Sequence, residues 1–154
     1  MQGTISVHGG AVHQTRLPAI QISDYATAAV QLQIRDLLVE DVATAPSLCD
    51  GSVGCTHKSG YPPGALNVPV SLLWRPDHRR SWDQGSISIA GLTVLDTVAR
   101  PWLQVMGQPG WHDLAIQANV TNPHGCAHML EPNITAWKGA SGLVVHCRRH
   151  RRPK

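Results

Sequence analysis

The 154-residue sequence predicts a small single α/β domain with a short parallel sheet. Short apolar runs recur along the chain, segments of helical pattern are interleaved with them, and Pro- and Gly-rich stretches separate the two. At 42% apolar and 15% charged residues the composition argues against a disordered polar chain, while 11 prolines and 14 glycines argue against a long-helix protein. The length suits one domain with its own core and is short for two.

The elements follow in order. Ser23-Asp24 offers an N-cap for a short Ala-rich helix over Tyr25 to Gln33, although Val30-Gln-Leu32-Gln-Ile34 also alternates as a strand does. Leu37–Val39 reads as a buried strand, and Thr44 to Pro63 as a loop rich in Pro, Gly, Ser and Cys. Leu66–Val70 is a second core strand, and Arg75 to Gly85 is polar and irregular. Ser86 to Ala90 alternates as a strand, and Leu92 to Met106 reads as a helix bent or started at Pro101. Leu114 to Val120 alternates again, and Leu143–Val145 forms the last core strand, delivering Cys147 at its end. No internal repeat is visible. Residues 1–147 are therefore read as one α/β domain and residues 148–154 as a basic C-terminal tail.

Five Trp, two Tyr and no Phe mean that the core is built from Leu, Val, Ile, Ala and Trp. The formal net charge of +3 is uneven, because Arg148, Arg149, Arg151, Arg152 and Lys154 carry five of the 13 basic charges. The other eight face ten acids. No run approaches the roughly 18 to 20 apolar residues that cross a bilayer, and residues 1–20 lack the pattern of a secretory signal. An intracellular protein without membrane contact is expected, cytoplasmic or nuclear. Its four cysteines, Cys49, Cys55, Cys126 and Cys147, are then expected as free thiols, and the sequons at Asn119 and Asn133 as unmodified.

Chemistry concentrates at the C-terminal strand. A nucleophilic cysteine acts as thiolate, and the basic groups that follow Cys147 favour that form. Ahead of it lies Gly60-Tyr-Pro-Pro-Gly-Ala-Leu-Asn-Val-Pro69, a loop entering a strand. This stretch resembles the rhodanese family, whose domains carry Gly-His-x-Pro-Gly-Ala-x-Asn-Val/Ile-Pro ahead of the active-site loop. Asp36-Leu-Leu-Val-Glu-Asp-Val42 looks like the family's strand ending in Asp-Val-Arg, and Val144 to Arg152 is similar to the strand and loop presenting the catalytic cysteine. The three blocks keep the family's order and cover about a fifth of the chain.

The resemblance implies a sulfurtransferase or persulfide carrier. Cys147 would take the sulfane sulfur of a small anionic donor such as thiosulfate, with Arg148 and Arg152 attracting the donor. Several features depart from the family. Ala43 stands where Arg follows Asp-Val, His150 where Gly is common, and only seven residues follow Cys147. They imply a degenerate site, and no cofactor is called for.

Three other patterns compete. Lys138-Gly-Ala-Ser-Gly142 resembles the nucleophile turn of trypsin-like serine proteases, with His57, Asp83 or Asp113, and Ser141 in that family's order. His124-x-Cys126-x-His128, Cys147-x2-His150 and Cys55-x-His57 collect metal-ligating types without the paired knuckle of structural zinc sites, so no metal site is assigned. Finally, residues 148–154 alone suit weak nucleic-acid or acidic-partner contacts by a non-catalytic accessory protein.

Overall fold

Alternation of apolar and polar side chains, sharpened by β-branched residues, decides the local structure through most of the chain. A computed structural model describes residues 2–23, 29–44, 67–73, 86–106, 113–123, 126, 128–130 and 142–149. Eleven strands are described: β1 (Gln2–His8), β2 (Ala11–His13), β3 (Ile20–Ser23), β4 (Ala29–Arg35), β5 (Leu38–Glu40), β6 (Val70–Leu73), β7 (Ser86–Leu95), β8 (Leu103–Met106), β9 (Asp113–Asn122), β10 (His128–Leu130) and β11 (Leu143–Arg149).

Every pairing among them is parallel, and no strand pairs with its neighbour in sequence. Each pairs instead with its counterpart one circuit later. β1, β4, β7, β9 and β11 stack in one wall. β2 and β5 stack in a second, which continues into the C-terminal halves of β7 and β9, and β3, β6, β8 and β10 make a separate four-stranded sheet. This is a parallel β-solenoid of stacked rungs. Gln2 pairs with Ala29, Ser86 with Asp113 and Ile116 with Leu143, each 27 positions apart. Only Gln31 to Ser86, at 55, departs from that spacing in this wall, because residues 45–66 and 74–85 fall within that circuit. The repeat invisible in the sequence is thus a repeat of register, with little identity between rungs.

The single domain with parallel sheets is as expected, but no helix occurs among the described residues. Ala29–Arg35, the end of the expected Tyr25–Gln33 helix and beyond, is β4, and Leu92–Met106 divides between β7 and β8. The reason is packing on both sides. Leu92 and Val94 are buried while Thr93 between them is half-buried, a period of two that a helix cannot satisfy. Two expected core strands, Leu37–Val39 and Leu143–Val145, are found with shifted or longer ends as β5 and β11. The third begins at Val70 rather than ending there. Pro69 has no N–H for a ladder, and its carbonyl accepts hydrogen bonds from the amides of Ala19 (3.0 Å) and Ile20 (3.3 Å).

Side chains stack in register through the solenoid. One inward row runs Val7, Ile34, Ile89, Ile116, Leu143. Another runs Val12, Val39, Val94, Val120, Cys147. The four-stranded sheet adds Ile20, Val70 and Leu103, and Trp102 is buried completely beside them in the sequence.

Two kinds of corner bend the rungs among the described residues. At the first, Gly9, Asp36 and Gly91 occupy the left-handed region with φ of 71°, 55° and 64°. Their position is shared, since Gly9 N donates to Arg35 O (2.9 Å) and Asp36 N to Ala90 O (3.0 Å). A Cβ on Gly91 would collide with the Asp36 carboxylate, so glycine is required there by space as well as by φ. In β9 this corner is absent: the register slips between Ile89 and Leu92 of β7, and β9 runs straight past it.

At the second corner the buried Asp96 accepts from Arg100 Nε (2.9 Å), and Arg100 also donates to the carbonyls of Val42 (2.6 Å) and Asn67 (3.2 Å). Buried Asn122 donates to the carbonyls of Val98 (3.3 Å) and Arg100 (3.0 Å). Corner carbonyls that no ladder reaches are satisfied this way.

Candidate functional site at the last strand

β11 positions the residues singled out by the sequence. It pairs with β9 over its whole length, Leu143 opposite Ile116 through Arg149 opposite Asn122. Because side chains alternate, Val145 and Cys147 fall on the inward rows and His146 and Arg148 on the outward face. Cys147 therefore takes the place that valine holds in the four preceding rungs. It is nonetheless exposed, because no described rung lies over it.

The Cys147 Sγ is bonded to Cys126 Sγ, with a Cα–Cα separation of 5.8 Å. The expectation of free thiols is corrected for these two cysteines. The pairing has a simple local cause. Val120 lies opposite Cys147, and Cys126, at φ 59°, places its Sγ 3.3 Å from the Val120 carbonyl oxygen. The two sulfurs thus meet at one point of the register. Cys126 is 7% exposed and belongs to the core.

Chemically, the bond leaves Cys147 with no thiol to ionise, and attack by Cys147 on the sulfane sulfur of a donor such as thiosulfate would first require its reduction. Arg148 is exposed on the opposite face of β11 from the disulfide sulfur. Arg149 is still within the strand, so the structure continues past residue 147. Arg152, the third residue of the expected site, lies outside the described residues, as do His150 and the rest of the expected tail.

The other constellations are only partly in view. His57, Asp83 and Ser141 lie outside the described residues, as do Cys49 and Cys55; Asp113 opens β9. Of the His/Cys cluster, His124 lies outside them, His128 opens β10, and Cys126 is taken by the disulfide. Among the described residues no group of three His, Cys, Asp or Glu side chains is placed to hold a metal ion.

Two His–carboxylate contacts that the sequence reading did not single out lie on the first two rungs. His8 Nε2 lies 3.2 Å from Asp36 Oδ2, and His13 Nδ1 lies 2.9 Å from Glu40 Oε2. Each joins the first rung to the second on the outer face, and the 27-residue spacing of His13 and Glu40 is the signal that would have found that pair. Among the described residues no helix is long and apolar enough to cross a membrane. No family model matches this chain, and neither the curated proteins nor the solved structures contain a significant match to it.

Proposed function

We propose that the chain is a non-catalytic accessory module that makes weak, salt-dependent contacts with a polyanionic partner, nucleic acid or another acidic chain, through the basic end of β11. The observation that carries this reading is the alternation of the strand. It directs His146 and Arg148 outward from a strand that is at the edge of the described sheet, while Cys147 between them is held in a disulfide. Arg149 follows in the same strand, and four more of the last five residues are basic or His. A cationic edge of this kind attracts phosphate backbones without reading sequence.

Fluorescence anisotropy with a short labelled duplex, repeated over a range of salt, tests the proposal. Binding should weaken linearly on a log–log plot, and Arg148→Ala should lower the slope by about one. A slope unchanged by that substitution, or binding insensitive to salt, overturns it. An acidic peptide run in parallel separates nucleic acid from an acidic protein partner.

A sulfurtransferase centred on Cys147, with Arg148 and Arg152 receiving the donor, is the second reading. It rests on the motif resemblance and needs the reduced protein. Incubation of that form with thiosulfate should add one sulfur to Cys147, read by peptide mass mapping, and an unmodified Cys147 sinks it. The Cys126–Cys147 bond itself favours an oxidising compartment over the cytoplasm or nucleus.

A further inference from the structure

The two halves of the disulfide are unequally placed. Cys147 is exposed, with no described rung over it in the valine row, whereas Cys126 is 7% exposed and packed in the core. Thiol–disulfide exchange proceeds by attack of a thiolate on one sulfur, in line with the bond, and access selects which sulfur is attacked. We propose that Cys147 is a site of reversible modification by small-molecule thiols, with Cys126 as the buried leaving group.

The step balances within the site. A thiolate RS⁻ forms a bond to Cys147 Sγ as the Cys147–Cys126 bond breaks. The incoming sulfur is oxidised to the disulfide level, and Cys126 departs with the electron pair as a thiolate that takes a proton from solvent. The reverse reaction, Cys126 attacking the mixed disulfide, expels RS⁻ and restores the staple. Neither direction needs another oxidant or reductant.

A structural consequence follows from the place of Cys147 in the fold. Among the described strands β11 is paired on one edge only, to β9, and its inward Leu143 and Val145 are only half-buried. Opening the disulfide removes the covalent tie between this strand and the core. The modified protein should therefore exchange the amides of residues 143–149 faster, while those of β4 and β7 keep their protection.

The test uses the unmodified chain with N-acetylcysteine as the thiol. After incubation, acid quench and alkylation of free thiols, peptide mapping should find the adduct on Cys147 and the alkyl group on Cys126, with at least tenfold preference over the opposite arrangement. Hydrogen exchange of the same sample should show at least a tenfold rise confined to residues 143–149. Adduct mainly on Cys126, equal labelling of both, no adduct, or isolation of the protein with both thiols free would each overturn the proposal. These readouts do not involve polyanion binding, so they stand or fall apart from the function proposed above.

Discussion

The middle and the ends of the solenoid are built from the same residue types and differ in what lies above and below them. In the row Val7, Ile34, Ile89, Ile116 the exposure falls from 43% to 7% and then to 1% and 1%. All four are inward, apolar and β-branched. Among the described strands only the interior ones have a rung on each side, and Ile5 beside Val7 in β1 is 55% exposed. Burial in this fold is thus a property of the stack more than of the side chain, as expected when each unit touches only its neighbours. β11, last of the described strands, has partly exposed inward side chains too, and there a disulfide ties the strand to the core.

The largest expected effect is at the second corner of the interior. Arg100→Ala leaves the Asp96 carboxylate, whose side chain is 1% exposed, without its cation and removes the guanidinium from the carbonyls of Val42, Ala43 and Asn67. It should cost about 3–5 kcal/mol in urea unfolding. A cost within 1 kcal/mol would mean that the corner relaxes and that the middle is less rigid than its burial implies.

Next, Ile89→Ala should cost about 2–5 kcal/mol, whereas Ile5→Ala in the end rung should cost under about 1 kcal/mol. Equal losses at the two sites would erase the distinction between middle and end. Replacing Cys126 and Cys147 together by Ser opens a loop with a sequence separation of 21 and should cost about 3 kcal/mol on the chain-entropy account. Hydrogen exchange should show whether that loss is felt at β11 alone. The smallest effect belongs to the exposed pair His13–Glu40, where Glu40→Gln should change stability by less than about 0.5 kcal/mol.

The sequence disclosed strands more readily than it disclosed their arrangement. Ser86 to Ala90, Leu114 to Val120 and Leu143 to Val145 alternate clearly, and each is a strand. Val30 to Ile34 alternates too, but its Ala-rich approach carries helix propensity, and the deciding contacts come from β1 and β7, which no local window contains. Leu92 to Met106 misleads because Pro101, which reads as a helix bend or start, instead follows the second corner at Asp96 and Arg100 and precedes β8.

The circuit itself stayed hidden for two reasons. The 55-residue step from Gln31 to Ser86 interrupts the period, and equivalent positions share only apolar character, as with Val7 and Ile34. At the candidate site the strand into Cys147 was legible. Its bond to Cys126 was not, since 21 residues of separation say nothing about which sulfurs the register brings together.

The disulfide also changes how the molecule bears load. A pull applied beyond β11 is transmitted at Cys147 across the sulfur bridge to Cys126, bypassing the 21 residues of separation between them. With the bridge closed those residues cannot lengthen. Opening it releases about 70 Å of contour, so the chain stretched from its two ends would pay out that extra length under a reducing thiol and withhold it otherwise.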